Sequence, residues 1–273
     1  MKKVVITGCS TGLGREMAER GRTSGWEVLA SVRSMDDAPP LEALGCHVAL
    51  LDLRESSSVK EFVSQVTPWA QGKLHGLVNN AGAVLASPLE HLSRTQLREQ
   101  FETNVFGHLQ LTQGLLPLLR KTSGAIIMLS SVSSDLTFPL YGPYSASKRA
   151  LEALTDGLAM ELADDKVRVA IVQPGSHSSS IWEKCHHQVE PWEADARYGA
   201  MARALQFFAG QKRLPPADHV AQRVFEILEG RRGGYRHILP APSRWQWRFR
   251  RWCPDQLYFR AVRRLLNKTG RDL

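Results

Sequence analysis

The sequence predicts an α/β protein built on a single doubly wound parallel sheet, with helices on both faces and a helical C-terminal extension. Three observations predict it. Short apolar runs alternate with longer stretches whose apolar residues recur at helical spacing, the rhythm of strand–helix–strand units. The first run passes straight into a glycine-rich turn and then a helical pattern. Polar, glycine-rich or Pro-Gly segments close the runs, and ligands of open parallel sheets sit beyond the C-terminal ends of the strands.

Lys2–Thr7 reads as a short buried strand. It opens into Gly8-Cys-Ser10-Thr11-Gly12-Leu13-Gly14 and the helical pattern Arg15–Arg22. Strand, glycine-rich turn and helix set a pyrophosphate against a helix N-terminus, with Ser10 and Thr11 adding hydroxyl donors. The spacing is G-x-x-x-G-x-G rather than G-x-G-x-x-G, and an ordinary glycine-rich turn is the competing reading. Glu27–Val32 is the second strand and ends in Arg33, where an acidic residue would signal NAD. A cation there suits a 2′-phosphate and favours NADP(H), although Asp36 and Asp37 follow closely and Arg33 as a merely solvated side chain is the alternative.

His47–Leu51 forms a third strand closed by Asp52 and Leu53. The Asp52 carboxylate is placed either to accept the adenine amino group or to cap a helix from about Ser56. Leu74–Val78 is the fourth strand, and Asn79-Asn80-Ala81-Gly82 a turn able to line a ribose. A helical pattern covers Thr95–Leu119, with polar Asn104 amid Phe101, Val105, Leu109 and Leu111. Such an Asn weakens a helix, which points to a functional role or an internal hydrogen bond. Ala125–Leu129 is the next strand, with Ser131 just past its end.

Beyond Pro143, apolar Ala150, Leu151, Leu154, Leu158 and Leu162 mark a helix carrying Tyr144 and Lys148 at i and i+4, one above the other. A phenol alone is a poor acid or base near neutrality, with a reference pKa of about 10. A nearby ammonium favours the phenolate and brings it toward the working range. From its strand end, Ser131 can hold a carbonyl oxygen beside the phenol. By itself Tyr-x-x-x-Lys is more often a solvated helix face, and its weight comes from the company it keeps. Val167–Val172 is a further strand ending at Pro174-Gly175, Asp218–Leu228 an amphipathic helix, Gly230–Tyr235 a turn, and His237–Pro240 a last strand.

At 273 residues, 43% apolar and 23% charged, the chain fits one large domain. No apolar run reaches spanning length, and the N-terminus is not that of a signal peptide. Four scattered cysteines without CxxC spacing suit a reduced, cytoplasmic compartment. The charge is uneven: residues 1–230 hold 23 Lys/Arg against 25 Asp/Glu, whereas 231–273 hold 12 against 2. Cys185-His186-His187 lacks a second ligand pair, so no metal site is expected.

Taken together, Thr7-Gly-x-x-x-Gly-x-Gly14, Asn79-Asn-Ala-Gly82, Asn104, Ser131, Tyr144-Ser-Ala-Ser-Lys148 and Pro174-Gly175 resemble the short-chain dehydrogenase/reductase family, over roughly residues 3–180 and including 13 residues from Ser131 to Tyr144. Val28-Leu-Ala-Ser-Val-Arg33 and the long C-terminal part most resemble its NADP-dependent reductases of hydrophobic carbonyls, the 17β-hydroxysteroid and retinol dehydrogenase-like branch and bacterial aldehyde reductases. The resemblance implies a Rossmann-type fold and an NADP-dependent enzyme that interconverts a hydrophobic ketone or aldehyde and its alcohol. It implies that Tyr144 is acid and base and that Lys148 lowers its pKa and binds the nicotinamide ribose. It further implies that Ser131 binds the substrate oxygen and that Asn104 holds a water linking Lys148 to solvent. Gly8, Ser10, Thr11, Gly12, Leu13, Gly14, Arg33, Asp52, Leu53, Asn80, Ala81, Gly82, Tyr144, Lys148, Pro174, Gly175 and Ser179 would hold the cofactor, Ser179 standing where the family often has threonine. The family's habits also imply a homodimer or homotetramer.

Residues 1–240 are expected to form the cofactor-binding and catalytic domain, with 176–216 a substrate lid rich in large apolar groups that otherwise complete the core. Residues 241–273 carry Trp245, Trp247, Phe249 and Trp252 among arginines, then Leu257, Phe259, Val262, Leu265 and Leu266 among more. That pattern fits a helix on an anionic membrane surface, a helix packed over the substrate pocket, or a subunit contact. Nucleic acid is not expected, because no binding module accompanies the charge. The rival functions are a catalytically silent NADP-binding regulatory or scaffold protein and a peripheral membrane module.

Overall fold

The computed structural model describes residues 1–175, 187–209 and 218–272. Seven strands form one parallel sheet: β1 (Lys3–Ile6), β2 (Glu27–Val32), β3 (His47–Leu50), β4 (Gly76–Asn79), β5 (Ala125–Leu129), β6 (Arg168–Pro174) and β7 (Arg236–Leu239). Their order is β3-β2-β1-β4-β5-β6-β7. The chain therefore winds outward from β1 to β3, returns to place β4 on the other side of β1, and winds outward again. The reversal opens a crevice above β1 and β4, the place where such sheets take ligands.

Alternating side chains send each strand's residues into two cores. Val4 and Ile6 pack with α1 (Gly12–Thr23) and the helix Asp218–Leu228 on one face, and Val5, Leu77 and Ile126 with helices on the other. Because both faces are covered, the central strands read as unbroken apolar runs. Trp26, in the turn between α1 and β2, meets Phe225 of the helix Asp218–Leu228 edge-on at 5.8 Å.

Between the strands lie α2 (Pro39–Ala43), α3 (Ser56–Ala70), α4 (Arg94–Phe101), α5 (Gly107–Arg120) and α6 (Gly142–Glu161). Beyond β6 come α7 (Gly199–Ala209), α8 (Asp218–Leu228), α9 (Ala241–Trp252) and α10 (Asp255–Asp272). The sequence pattern predicts one helix over Thr95–Leu119. Instead, a π-helical turn at Glu102–Phe106 separates α4 from α5. One extra residue in the turn lets Asn104 point inward to the backbone of Ala83, and such turns concentrate at functional sites.

The expected lid lies partly outside the described residues, at 176–186 and 210–216, and its described part holds two kinds of residue. Val189, Ala202 and Leu205 are buried in a third apolar cluster with Ala86, Leu140 and Tyr141, whereas Phe207 and Phe208 face solvent. Gln188 ties this segment to the loop after β4, accepting from Ala86 N–H at 2.7 Å and donating to Val84 C=O at 3.0 Å. The basic tail is two helices rather than one, broken at Cys253-Pro254, with Leu266 of α10 in the third cluster. No helix among the described residues is long and apolar enough to cross a membrane.

Candidate active site

The glycine-rich loop is built as a close-packed backbone. Gly8 has a φ of +70°, and a Cβ there would lie 2.8 Å from the Ala81 Cα. A Cβ on Gly14 would come within 2.0 Å of the Gly8 carbonyl oxygen. No side chain fits either place. Thr7 Oγ1 accepts from the N–H groups of Asn80 and Ala81, both at 2.9 Å, and the Asn80 amide donates to the Thr7 and Gly8 carbonyls at 2.8 and 3.1 Å. Gly8 N–H donates to Ser31 Oγ at 3.1 Å. The Asn80 amide thus cross-links the loop to the turn after β4. The helix α1 that follows starts at Gly12, has no acidic residue in its first turn, and receives no side-chain cap from Thr11. Ser10 and Leu13 are half-buried beside it.

Arg33 is exposed at the end of β2 and its charge helps hold Asp52 ionised. Asp36 is folded back onto Ser34, whose hydroxyl donates to it at 3.0 Å. Asp52 does not cap α3: Glu55 is the N-cap residue, without a side-chain cap bond. Instead Asp52 accepts from the Arg54 backbone N–H at 3.0 Å and from the Arg54 guanidinium at 2.5 Å, which together keep its carboxyl below the usual range. An arginine two residues on captures the carboxylate in an Asx-type turn, a local contact that outcompetes the helix terminus. Leu53 is buried, its carbonyl against Gly107.

Lys148 is the centre of the opposite wall. It is 4% exposed, and its ammonium donates to the Leu129 carbonyl at the end of β5 at 2.7 Å. It lies 5.9 Å from the centroid of the Tyr144 ring, one helical turn earlier on α6. Burial pulls the Lys148 pKa down to about 8, against the upward pull of the Glu152 carboxylate one turn later. Ser131 follows β5 directly; its oxygen accepts from Ser133 N–H at 3.1 Å, fixing the short turn that begins the loop to Tyr144.

Asn104 is fully buried. Its amide accepts from Ala83 N–H at 2.9 Å and donates to Ala83 C=O at 2.9 Å and Ser147 Oγ at 3.0 Å, while Ser147 Oγ donates to the Tyr144 carbonyl at 2.7 Å. A Cβ on Gly82 would stand 3.5 Å from both Asn104 Oδ1 and Lys148 Nζ. The structure therefore gathers Gly82, Asn104, Tyr144 and Lys148 at the C-terminal ends of β4 and β5. Pro174 ends β6, and Gly175 N–H donates to Leu239 C=O at 2.6 Å. Ser179, Cys185 and His186 lie outside the described residues, among which no three His, Cys, Asp or Glu side chains converge as metal ligands.

Two supports are absent from the motifs. His108 is fully buried, with Nδ1 3.1 Å from the Asn79 amide and Nε2 2.7 Å from the Ala81 carbonyl. Burial, helped by the Lys148 charge, pulls its pKa down to about 3, so the ring is neutral. The Asn79 amide that Nδ1 meets in turn donates to Thr112 Oγ1 at 2.9 Å. The second support is Glu152, which accepts from Ser130 Oγ, from Gln173 at 2.9 Å and from the Arg236 guanidinium of β7. Both lie one turn from a motif residue, His108 from Asn104 and Glu152 from Lys148, and that spacing was the available signal.

Comparisons with known proteins agree with this architecture. The family model of short chain dehydrogenases matches residues 2–190. The uncharacterized oxidoreductase YbbO of Escherichia coli K12 is 41% identical over 175 residues, covering 64% of this chain and 65% of that protein, just under two thirds of its length. The NADPH-dependent 3-dehydrocapnine reductase of Ornithobacterium rhinotracheale is 31% identical over 277 residues, covering 97% of this chain and 93% of that one. A solved short-chain dehydrogenase/reductase of Burkholderia phymatum, in complex with NAD, superposes with a TM-score of 0.77 at 26% identity, covering 92% of each chain. The chain belongs to the short-chain dehydrogenase/reductase family.

Proposed function

We propose that this oxidoreductase uses NADP(H) to interconvert a hydrophobic ketone or aldehyde and its alcohol, with Tyr144 as the proton-transfer group. The observation that carries the reading is the buried Lys148 ammonium, held on Leu129 C=O beside the Tyr144 ring. A cation this desolvated is costly unless it serves a partner, and such perturbed groups concentrate at functional sites. The cradle fits a dinucleotide: Gly8 and Gly14 leave the backbone bare where a Cβ would collide, and the uncapped start of α1 faces the crevice with no carboxylate to oppose a phosphate.

In this reading Gly8–Gly14 hold the pyrophosphate, Arg33 the 2′-phosphate, Asp52 and Leu53 the adenine, and Asn80–Gly82 the ribose side. Pro174, Gly175 and Ser179 flank the nicotinamide. When bound, the nicotinamide supplies hydride in reduction or accepts it in oxidation. Ser131 orients the substrate oxygen by a hydrogen bond. Tyr144 gives that oxygen its proton during reduction and takes it back during oxidation. Lys148, still protonated near neutrality, stabilises the phenolate that remains. Asn104 works through the Ala83 backbone and Ser147, fixing the floor on which Tyr144 and Lys148 stand. Val84, Phe138, Trp192 and Met201, partly buried about the third cluster, favour an apolar substrate. NADPH as the cofactor of the Ornithobacterium relative supports the choice at Arg33.

The deciding experiment follows NADPH oxidation with a panel of apolar aldehydes and ketones. Tyr144→Phe is expected to abolish turnover while NADPH still binds; substantial residual reduction in that variant would refute the assignment. Arg33→Asp is expected to weaken NADPH far more than NADH, and an unchanged preference would remove Arg33 from the phosphate site.

A further inference from the structure

The C-terminal hairpin has two unlike faces. Its inner side grips the active-site loop and α7: Trp247 Nε1–H donates to Asp135 at 2.8 Å, Leu266 is buried, and Gly270 abuts Ala200 so closely that no Cβ would fit. Its outer side leaves Trp245, Phe249, Trp252 and Leu257 between 56 and 87% exposed. A groove of about 590 Å³ runs between the helices, floored by Phe249, Trp252 and Leu257 and flanked by Arg260 and Arg264. Soluble surfaces rarely leave so many large apolar groups adjacent and uncovered.

The charge around this patch selects its occupant. Residues 241–272 carry nine Lys/Arg and only two acidic residues, and one of these, Asp255, is already paired with Arg250 at 2.7 Å. Arg248 and Arg251 lie over the rings of Trp245 and Trp247 at 5.5 and 5.3 Å. A second copy of the chain would bring the same uncompensated cations face to face. A nucleic acid would satisfy the arginines and leave the apolar groove exposed. A bilayer with acidic headgroups satisfies both, since indoles settle at headgroup depth, apolar side chains enter the acyl region and arginines meet phosphate. We propose that the outer face of the α9–α10 hairpin is a docking surface for an anionic lipid bilayer. The docking stands apart from the reaction proposed above and is read without turnover.

The test is co-sedimentation of the full chain with vesicles of phosphatidylcholine alone and of phosphatidylcholine mixed with phosphatidylglycerol. Binding to the mixed vesicles is expected, with a blue shift of tryptophan emission. It should fall at least about tenfold in Phe249→Ser/Trp252→Ser/Leu257→Ser and in Arg260→Gln/Arg264→Gln, whose melting should match wild type because all five side chains are on the surface. Failure of the full chain to bind the mixed vesicles, or undiminished binding by both variants, overturns the proposal. So does a dimer in sedimentation velocity that the triple-serine variant abolishes without a change in vesicle binding, or duplex DNA binding without vesicle binding.

Discussion

Replacing Lys148 by methionine should make the protein more stable and inactive. The side chains are close in length and volume, so the exchange removes mainly the charge. Burial brings the ammonium from an ordinary 10.5 to about 8. At about 1.4 kcal/mol per tenfold change in proton affinity, keeping it charged at neutral pH costs the folded state about 3 kcal/mol. The variant also loses the bond to Leu129 C=O, worth about 1 kcal/mol. Glu152 keeps Ser130, Gln173 and Arg236 as partners. The net gain is about 2 kcal/mol, or a Tm rise of about 4–8 °C for a chain of this size. The sign with pH is fixed: between the folded and unfolded pKa values the unfolded wild type binds more protons, so wild-type stability rises there. The advantage of Lys148→Met should thus be complete below about pH 8 and shrink toward about pH 10.5. Thermal melts of the cofactor-free proteins at neutral and alkaline pH measure it. A variant that melts at or below wild type at neutral pH, or an advantage indifferent to pH, would refute the reasoning.

Two further outcomes follow from neighbouring contacts. Glu152→Gln keeps the shape, turns its NH₂ against the Gln173 or Arg236 donor, and removes the charge that holds Lys148 up, so the alkaline limb of the pH profile of kcat/KM should move to lower pH; an unmoved limb would detach Glu152 from Lys148. Gly14→Ala places a Cβ within 2.0 Å of Gly8 O and 2.7 Å of the Asn80 amide, which should weaken NADPH in a fluorescence titration by about tenfold or more, about 1.4 kcal/mol, and undiminished affinity would show that the loop yields without consequence.

The parts of the fold written in local pattern were legible in the sequence. Asp218–Leu228 emerges as a helix over that same span because its apolar spacing is unbroken, and the strands stand out because coverage on both faces makes them uniformly apolar. Tyr144 and Lys148 share a face because their spacing is one helical turn. Other features depend on contacts that spacing does not encode. The π turn exists because Asn104 reaches the Ala83 backbone, 21 positions earlier. The fate of Asp52 turned on a rotamer of Arg54. Arg236 meets Glu152 across 84 residues, a pairing set by the addition of β7 beside β6.

The loop joining Ser131 to Tyr144 is braced from behind by α9, through Trp247 and Asp135. The family model ends at residue 190, so the proposed proton-transfer residues lie inside the matched portion and Trp247, which braces their loop, lies outside it. Shortening or exchanging the tail would slacken that loop while leaving every motif intact. Such a chimaera would keep every signature residue and yet hold the stretch between Ser131 and Tyr144 less firmly.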